Sequence, residues 1–241
     1  MTAIESIVST ARSENRDVLL ESEGYALLAE AGLTVPRFTT VENAEAVTPE
    51  TLDTLSGDRV VLKVVSPDVL HKSDVGGVKI VERNVEAVRE GVHDMLATVA
   101  TKMPDADLRG VMIVEKVEFL ADAPGTELLL SARVDTAFGP MLAAGPGGVL
   151  TEWYGKLSNG RSHTVLGAGL GKGTFDAARG AEILENTVFG AQALKVSRRF
   201  DTPPFDRAAL TNALKALATL IETRNELGHE VFEEIELNPA V

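Results

Sequence analysis

The chain has 241 residues, with 36 acidic against 23 basic side chains and a formal net charge of −13. It has no cysteine, which excludes disulfides, thiolate metal sites and cysteine nucleophiles. A surface this acidic repels nucleic acid and anionic lipid, because phosphate contacts need clustered Lys and Arg. Only nine of the basic residues are Lys; such a surface suits high salt, where self-repulsion is screened, and equally suits an ordinary acidic protein. The hydrophobic fraction of 44% supports a sizeable core, expected as one compact body with two lobes, 1–112 and 113–241. No apolar run approaches the roughly 18 residues of a membrane span, and Met1-Thr2-Ala3-Ile4-Glu5 has neither the basic patch nor the apolar stretch of a signal peptide. The expectation is a soluble cytoplasmic protein with no membrane or nucleic-acid partner.

Ser13 to Leu33 alternates charge with Leu and Ala at helical spacing and ends at Gly32 and Pro36, a helix stop. Phe38–Val41 reads as a short strand and Ala44 to Leu55 as a helix. Arg59 to Val65 is a β-branched run of strand length, Ser66 to Gly77 a polar loop, and Val78 to Val81 a strand. Val85 to Thr101 has apolar residues at 88, 92, 95, 96 and 99, the period of a helix. Gly110 to Val117 and Glu127 to Val134 read as strands, with a turn at Pro124-Gly125 between them. A hairpin turn at Asp135 to Phe138 leads into Pro140–Ala144 and the glycine-rich stretch 145–148. Helices over 177–194 and 206–227 and a final strand over 234–241 complete the order. The pattern is α+β rather than regular βαβ alternation, and a cleft between two mixed lobes is a common location for a ligand.

Lys63 lies inside a strand expected to be buried, where its charge needs a partner. Phosphate is one partner; a side chain that snorkels to solvent is the other reading. The loop Ser66-Pro67-Asp68-Val69-Leu70-His71-Lys72-Ser73-Asp74-Val75-Gly76-Gly77 carries far more polar residues than a hairpin needs. His71 at its centre is a candidate phosphoryl acceptor, since neutral imidazole is available near neutral pH. Asp68 or Asp74 is placed in sequence to orient the ring, and Gly76 and Gly77 would let backbone amides approach an anion.

The run Val61 to Val78 resembles the signature loop of the ATP-grasp subunit of ADP-forming acetyl-CoA (acyl-CoA) synthetases, and more distantly the β subunit of succinyl-CoA synthetase. The resemblance extends from about Glu21 to Val241, strongest over 60–82, 110–152 and 234–241 and weak over 155–205. It implies an ATP-grasp fold, an α+β pair of lobes that holds ATP or ADP with Mg²⁺. It implies that Lys63 contacts the nucleotide phosphates, that the backbone of Glu115 and Val117 reads adenine, and that Glu127 binds the ribose hydroxyls. His71 matches a phosphohistidine. In Glu236-Leu237-Asn238-Pro239, Asn238 would help hold Mg²⁺, with Glu236 near the transferring phosphate. Gly145 to Glu152 matches a glycine-rich turn ending in an acid, although a tight turn explains its glycines as well.

The implied reaction is acyl-CoA + ADP + phosphate ⇌ carboxylic acid + CoA + ATP. A separate CoA-binding α subunit, in an α2β2 assembly, would carry the acyl chemistry, since no Rossmann fingerprint is present here. The relatives carry a further Asp after the Asn-Pro segment that has no match in this sequence. Two other readings stay open: an ATP-grasp ligase that forms an acyl-phosphate without a phosphohistidine, and a non-catalytic nucleotide sensor. Gly167 to Thr174 fails the P-loop pattern at both ends and reads as a flexible loop.

Overall fold

The structure, a computed structural model, describes residues 3–119, 123, 125–157, 162–169 and 174–241, without the side chains of Val149 and Glu152. Its backbone forms two units, Met1–Glu118 and Phe119–Val241. The boundary expected at 112/113 falls inside the strand Gly110–Glu115, and the units part after that strand has ended.

In the first unit, helices α1 (Ala3–Ser13) and α2 (Glu21–Glu30) precede β1 (Phe38–Val41), a 3₁₀ turn at Ala44–Ala46 and α3 (Pro49–Asp53). Then follow β2 (Arg59–Val65), β3 (Val78–Glu82), α4 (Val85–Lys102) and β4 (Gly110–Glu115). The strands pair antiparallel in the order β1-β4-β2-β3. Side chains alternate across β2, and both of its faces are used. Val60, Leu62 and Val64 meet Val88, Val92, Met95 and Val99 of α4 in one buried cluster. On the opposite face Val65, Met112 and Val114 form a second cluster, packed by Leu20, Tyr25, Phe38 and Val61. Tyr25 of α2 and Phe38 of β1 meet edge to face, with ring centroids 5.4 Å apart. Lys63 shares this second face.

Of the helix expected over 13–33 only Glu21–Glu30 is helical, and the chain between it and α1 turns. Asn15 takes a left-handed backbone (φ 55°) and turns the chain. Beyond it the Arg16 guanidinium, its side chain 5% exposed, binds Glu23 at 2.7 Å and Glu14 at 2.8 Å. Glu23 also accepts from the Leu20 N–H at 2.7 Å, closing the start of α2.

The second unit contains β5 (Leu128–Asp135), β6 (Gly139–Pro146), α5 (Val149–Leu157), β7 (Thr164–Ala168), α6 (Ala177–Glu185), α7 (Val188–Leu194), α8 (Arg207–Ile221) and β8 (Glu234–Ala240). Its sheet is antiparallel in the order β7-β6-β5-β8. Helix α8 packs on β5 and β6, and Leu210, Leu214, Leu217 and Ile221 recur on its buried side at helical spacing. The β5–β6 turn is held by Asp135, whose carboxylate accepts from the N–H groups of Ala137 (2.9 Å) and Phe138 (3.0 Å).

Three expectations are corrected here. The helix expected over 177–194 breaks where the Thr187 hydroxyl accepts from the Gly190 N–H at 3.0 Å and starts α7 anew. The helix expected over 206–227 stops at Ile221, and Asn225 instead closes a turn by accepting from Leu227 and His229. Residues 149–152, expected to end a glycine-rich turn, open α5, and Gly167 and Ala168, expected in a flexible loop, end β7. Pro124 of the expected turn, the Glu152 side chain, and residues 170–173 of the expected flexible loop lie outside the described residues. No helix among the described residues is long and apolar enough to cross a membrane.

Gly110 opens β4 at φ 119°, and a Cβ there would lie 2.1 Å from the Val41 carbonyl oxygen. Gly24 in α2 has open space where a Cβ would be. Gly110→Ala is expected to destabilise the protein by about 3 kcal/mol, through strain and a backbone clash. Gly24→Ala should stabilise it by about 0.5–1 kcal/mol through helix propensity and lost unfolded-state freedom. Urea denaturation of both variants checks the contrast, and equal shifts would contradict it.

Candidate functional site

The centre of the candidate site is a carboxylate that the sequence reading passed over. Glu21, the first residue of α2, receives the Lys63 ammonium on Oε1 and the Lys72 ammonium on Oε2, the latter at 2.9 Å. Lys63 also reaches the Tyr25 hydroxyl at 3.4 Å and lies 5.7 Å from the centre of that ring. All three charged side chains are largely withdrawn from water, with 23% exposure for Glu21, 24% for Lys63 and 20% for Lys72. Burial alone would push the Glu21 carboxyl up, but the charges of Lys63 and then Lys72 outweigh it and hold the group below its ordinary value. Burial pulls Lys63 down, and Glu21 and Tyr25 reverse this, so that its ammonium is held above the usual lysine value.

His71 immediately precedes Lys72 in the β2–β3 loop. Its side chain is exposed, and its ring has no hydrogen bond or ion pair among the described residues. Neither candidate aspartate orients it. Asp68 Oδ2 accepts from the Asp107 N–H at 2.7 Å, and the Asp74 N–H donates to the His71 backbone carbonyl at 3.3 Å. The loop is nevertheless fixed. Val69 is buried at 2% exposure, and Lys72 is tied to Glu21.

The two glycines shape this loop rather than offering amides to an anion. The Gly77 N–H donates to the Lys72 carbonyl at 2.7 Å and the Gly76 N–H to the Ser73 carbonyl at 3.2 Å. Gly76 turns the chain at φ 81°, and a Cβ on Gly77 would come within 2.5 Å of Val64 Cγ1.

At the end of β4 the Glu115 carboxylate binds Arg37 at 2.7 Å. The Ser56 hydroxyl and that guanidinium hold its carboxyl below the ordinary value, and the Glu115 N–H donates to the Arg37 carbonyl at 2.9 Å. Val117 follows the strand, 39% exposed, and its backbone has no hydrogen bond among the described residues.

In the second unit, β8 carries Glu236 and Asn238, alternate and exposed residues on one face of the strand. Glu236 stands opposite the buried Ser131 of β5. Asn238 Oδ1 accepts from the Gly148 N–H at 2.8 Å, holding the turn that starts α5. The Thr151 hydroxyl lies 3.3 Å from the same oxygen but donates at 2.8 Å to the Pro146 carbonyl. A hydroxyl has one proton, so Asn238 Oδ1 keeps one lone pair. Glu127 lies beside the same turn. Its backbone carbonyl accepts from Gly147 at 3.0 Å, and a Cβ on Gly148 would sit 2.5 Å from its Oε1. Among the described residues no three His, Asp or Glu side chains cluster as a metal site. Glu236 and the remaining lone pair of Asn238 are hard oxygen donors suited to Mg²⁺, an ion that takes few protein ligands beside phosphate oxygens.

A family model described as an ATP-grasp domain matches residues 10–241. The chain belongs to that family, and its two sheet-and-helix units are the ATP-grasp fold. The subunit beta of the ADP-forming acetate–CoA ligase I of Pyrococcus furiosus is 36% identical over 146 residues, which is 61% of this chain and 60% of that subunit. The ADP-forming 4-hydroxybutyrate–CoA ligase of Nitrosopumilus maritimus is 34% identical over 149 residues, which is 61% of this chain and 20% of that enzyme. The matched stretch thus spans less than two thirds of either relative. Among solved structures, the dinucleotide-forming acetyl-coenzyme A synthetase 1 of Ca. Korarchaeum cryptofilum, in complex with coenzyme A, Ca-AMPCP and HgCl+, superposes with a TM-score of 0.77. It is 27% identical, over 97% of this chain and 91% of that one. The same synthetase with coenzyme A and Mg-AMPPCP, its phosphohistidine segment pointing towards the nucleotide binding site, gives a TM-score of 0.67 at 26% identity, over 99% of this chain and 92% of that one.

Because the folded Glu21 carboxyl lies below its ordinary value, its stabilising effect is complete above the unfolded value and disappears as pH falls through the folded one. Glu21→Gln is therefore expected to cost roughly 1–3 kcal/mol near neutral pH, and the gap from wild type should close as pH is lowered to about 2. Denaturant melts across that range check this, and a gap independent of pH would contradict it.

Proposed function

We propose that the chain is the nucleotide-binding part of an ADP-forming acyl-CoA synthetase, in which His71 carries a phosphoryl group between a partner subunit and ADP. The observation that carries this reading is the state of His71. Its ring is exposed and free of partners among the described residues, yet its loop is fixed by buried Val69 and by the Lys72–Glu21 ion pair. A nucleophile needs an available lone pair and a defined position, and this residue has both. The likeness to a subunit beta of an ADP-forming acetate–CoA ligase, and to a synthetase with a phosphohistidine segment, supports the same conclusion.

In the first half-reaction a ring nitrogen of neutral His71 attacks the phosphorus of a phosphohistidine on the partner. A new N–P bond forms as the partner's N–P bond breaks, and the partner imidazole leaves with the electron pair. In the second half a β-phosphate oxygen of ADP attacks the same phosphorus, the His71 N–P bond breaks, and ATP results. Lys63 neutralises phosphate charge, the backbone at Glu115 and Val117 reads adenine, and Glu127 accepts from the ribose hydroxyls. Gly76 and Gly77 serve the nucleotide indirectly, by holding the loop in shape. When bound, Mg²⁺ supplies further neutralisation of the phosphates. Asn238 would hold the ion, and Glu236 would stand beside the transferring group.

The CoA and acyl sites belong to a separate α subunit, and the two form an α2β2 assembly in the cytoplasm. The partial coverage of the longer 4-hydroxybutyrate–CoA ligase fits this division, since the matched stretch is a fifth of that enzyme.

Incubation with Mg-ATP carrying ³²P in its γ-phosphate, in the presence of the α partner, is expected to give an acid-labile, base-stable label. His71→Ala should abolish the label along with synthetase activity. Equal labelling of that variant would sink the role of His71, and retained ligase activity without label would favour direct acyl-phosphate formation.

A further inference from the structure

Lys72 is fixed at both ends. Its carbonyl accepts from the Gly77 N–H at 2.7 Å, closing the loop, and its ammonium binds Glu21 at 2.9 Å. His71 is the preceding residue, so its Cα lies about 3.8 Å from that of Lys72 across one planar peptide. Wherever Lys72 is held, the nucleophile is held too. The other oxygen of the same carboxylate holds Lys63, the lysine to which the proposed function gives the nucleotide phosphates. One side chain at the start of α2 therefore sets the loop that bears the imidazole and the cation on β2 relative to each other, within the first unit.

The charge count points the same way. Two ammonium groups share one carboxylate, which among the described residues leaves one positive charge unmatched in a group three-quarters or more withdrawn from water. The neighbouring Tyr25 hydroxyl is neutral and removes none of it. A partly buried excess charge attracts a counter-ion. A phosphoryl group on the adjacent imidazole would supply one, and the flexible lysine stem with its three donors lets Lys72 turn from Glu21 towards it.

We propose that Glu21 and Lys72 are the positioning pair for phosphoryl transfer: Glu21 holds Lys72 and Lys63 in register in the resting site, and Lys72 both fixes the His71 loop and shifts onto the phosphoryl group that His71 accepts. This rests on the reading of His71 as the phosphoryl carrier. Neither residue forms a bond to phosphorus, and Lys72 differs from Lys63 in having no part in nucleotide binding.

The test compares Lys72→Met, Lys72→Arg and Glu21→Gln with wild type in three measurements: the single-turnover rate of His71 labelling from Mg-ATP, the affinity for a non-hydrolysable ATP analogue, and amide hydrogen exchange across the loop. Lys72→Met is expected to slow labelling about 10- to 100-fold while analogue affinity stays within about twofold, the split that misplacement of a nucleophile produces. Lys72→Arg, which keeps charge and reach, should recover to within about threefold. Glu21→Gln should slow labelling in the same direction. Exchange at the Asp74, Gly76 and Gly77 amides should rise about tenfold in Lys72→Met and Glu21→Gln, with the Leu62 amide of β2 unchanged. Labelling of Lys72→Met at the wild-type rate would overturn the proposal. So would a loss of analogue affinity as large as the loss of rate, which would make Lys72 a nucleotide ligand. If wild-type protein with its partner takes no label, the reading of His71 fails. The exchange data then decide the positioning role alone, and unchanged loop amides in both variants would refute it.

Discussion

A lysine in the middle of a packed strand constrains everything laid over it. β2 needs alternation to bury Val60, Leu62 and Val64 against α4, and the same alternation sends Lys63 to the opposite face beside Met112 and Val114. An ammonium there requires a carboxylate, and Glu21 provides it from the first turn of α2. That position also suits Glu21 itself, since a negative side chain at a helix start is favoured by the unpaired N–H groups. The ion pair thus ties the start of α2 to β2. The preceding segment is then held by Arg16 and Glu23, whose guanidinium and carboxylate are nearly enclosed and satisfy each other. A chain of local electrostatic requirements runs from one strand residue back to the linker after α1.

The second unit applies the same logic with neutral groups. Asn238 on β8 orders the turn before α5 through one lone pair, and that turn is glycine at 147 and 148 because Glu127 and Leu128 lie against it. The residues that the family resemblance assigns to ribose and metal are therefore bonded to, or packed on, one another's supporting backbone. Pre-organisation of this kind limits the reorganisation needed when a charged ligand arrives.

What could be read from the sequence was what repeats locally. The β-branched run of β2, the 3.6-residue period of α4 and the stop signals at Gly32 and Pro36 each lie within a window of a few residues, and the corresponding elements formed where that pattern is strong. The helix expected over 13–33 begins only at Glu21, because the turn before it depends on Asn15 and on Arg16 finding Glu23, a contact that periodicity does not encode. α5 went unread because its first residues, 149–152, were taken into the glycine-rich turn, which left the apolar spacing of Trp153, Tyr154 and Leu157 too short to signal a helix. In the site, the polar loop and the family motif drew attention to Lys63 and His71. Glu21 and Lys72 were overlooked for a physical reason. The Lys63 partner lies 42 residues upstream, and an acid opening a helix is unremarkable until the fold sets two lysines beside it. The glycine pair was given an anion-binding role because sequence reveals the absence of a side chain, but not where the amide points.

The net charge of −13 raises the question of how so acidic a chain would attract the polyphosphate proposed for it. Screening gives the answer. At physiological ionic strength the potential of exposed charges decays over about 8 Å, so carboxylates scattered over the surface act on a bound phosphate only weakly. A pair of lysines largely removed from water is screened far less and acts at contact distance. The local balance of two cations to one anion at Glu21, Lys63 and Lys72 would therefore set the field at the proposed site, through Lys63 for the nucleotide and through Lys72 for a phosphoryl group on His71, whatever the total. The same reasoning gives the carboxylate a purpose. Two neighbouring ammonium groups without it would repel each other and lose protons more readily when buried. With it, the two are drawn to one place, and an arriving phosphate would meet cations that are already assembled.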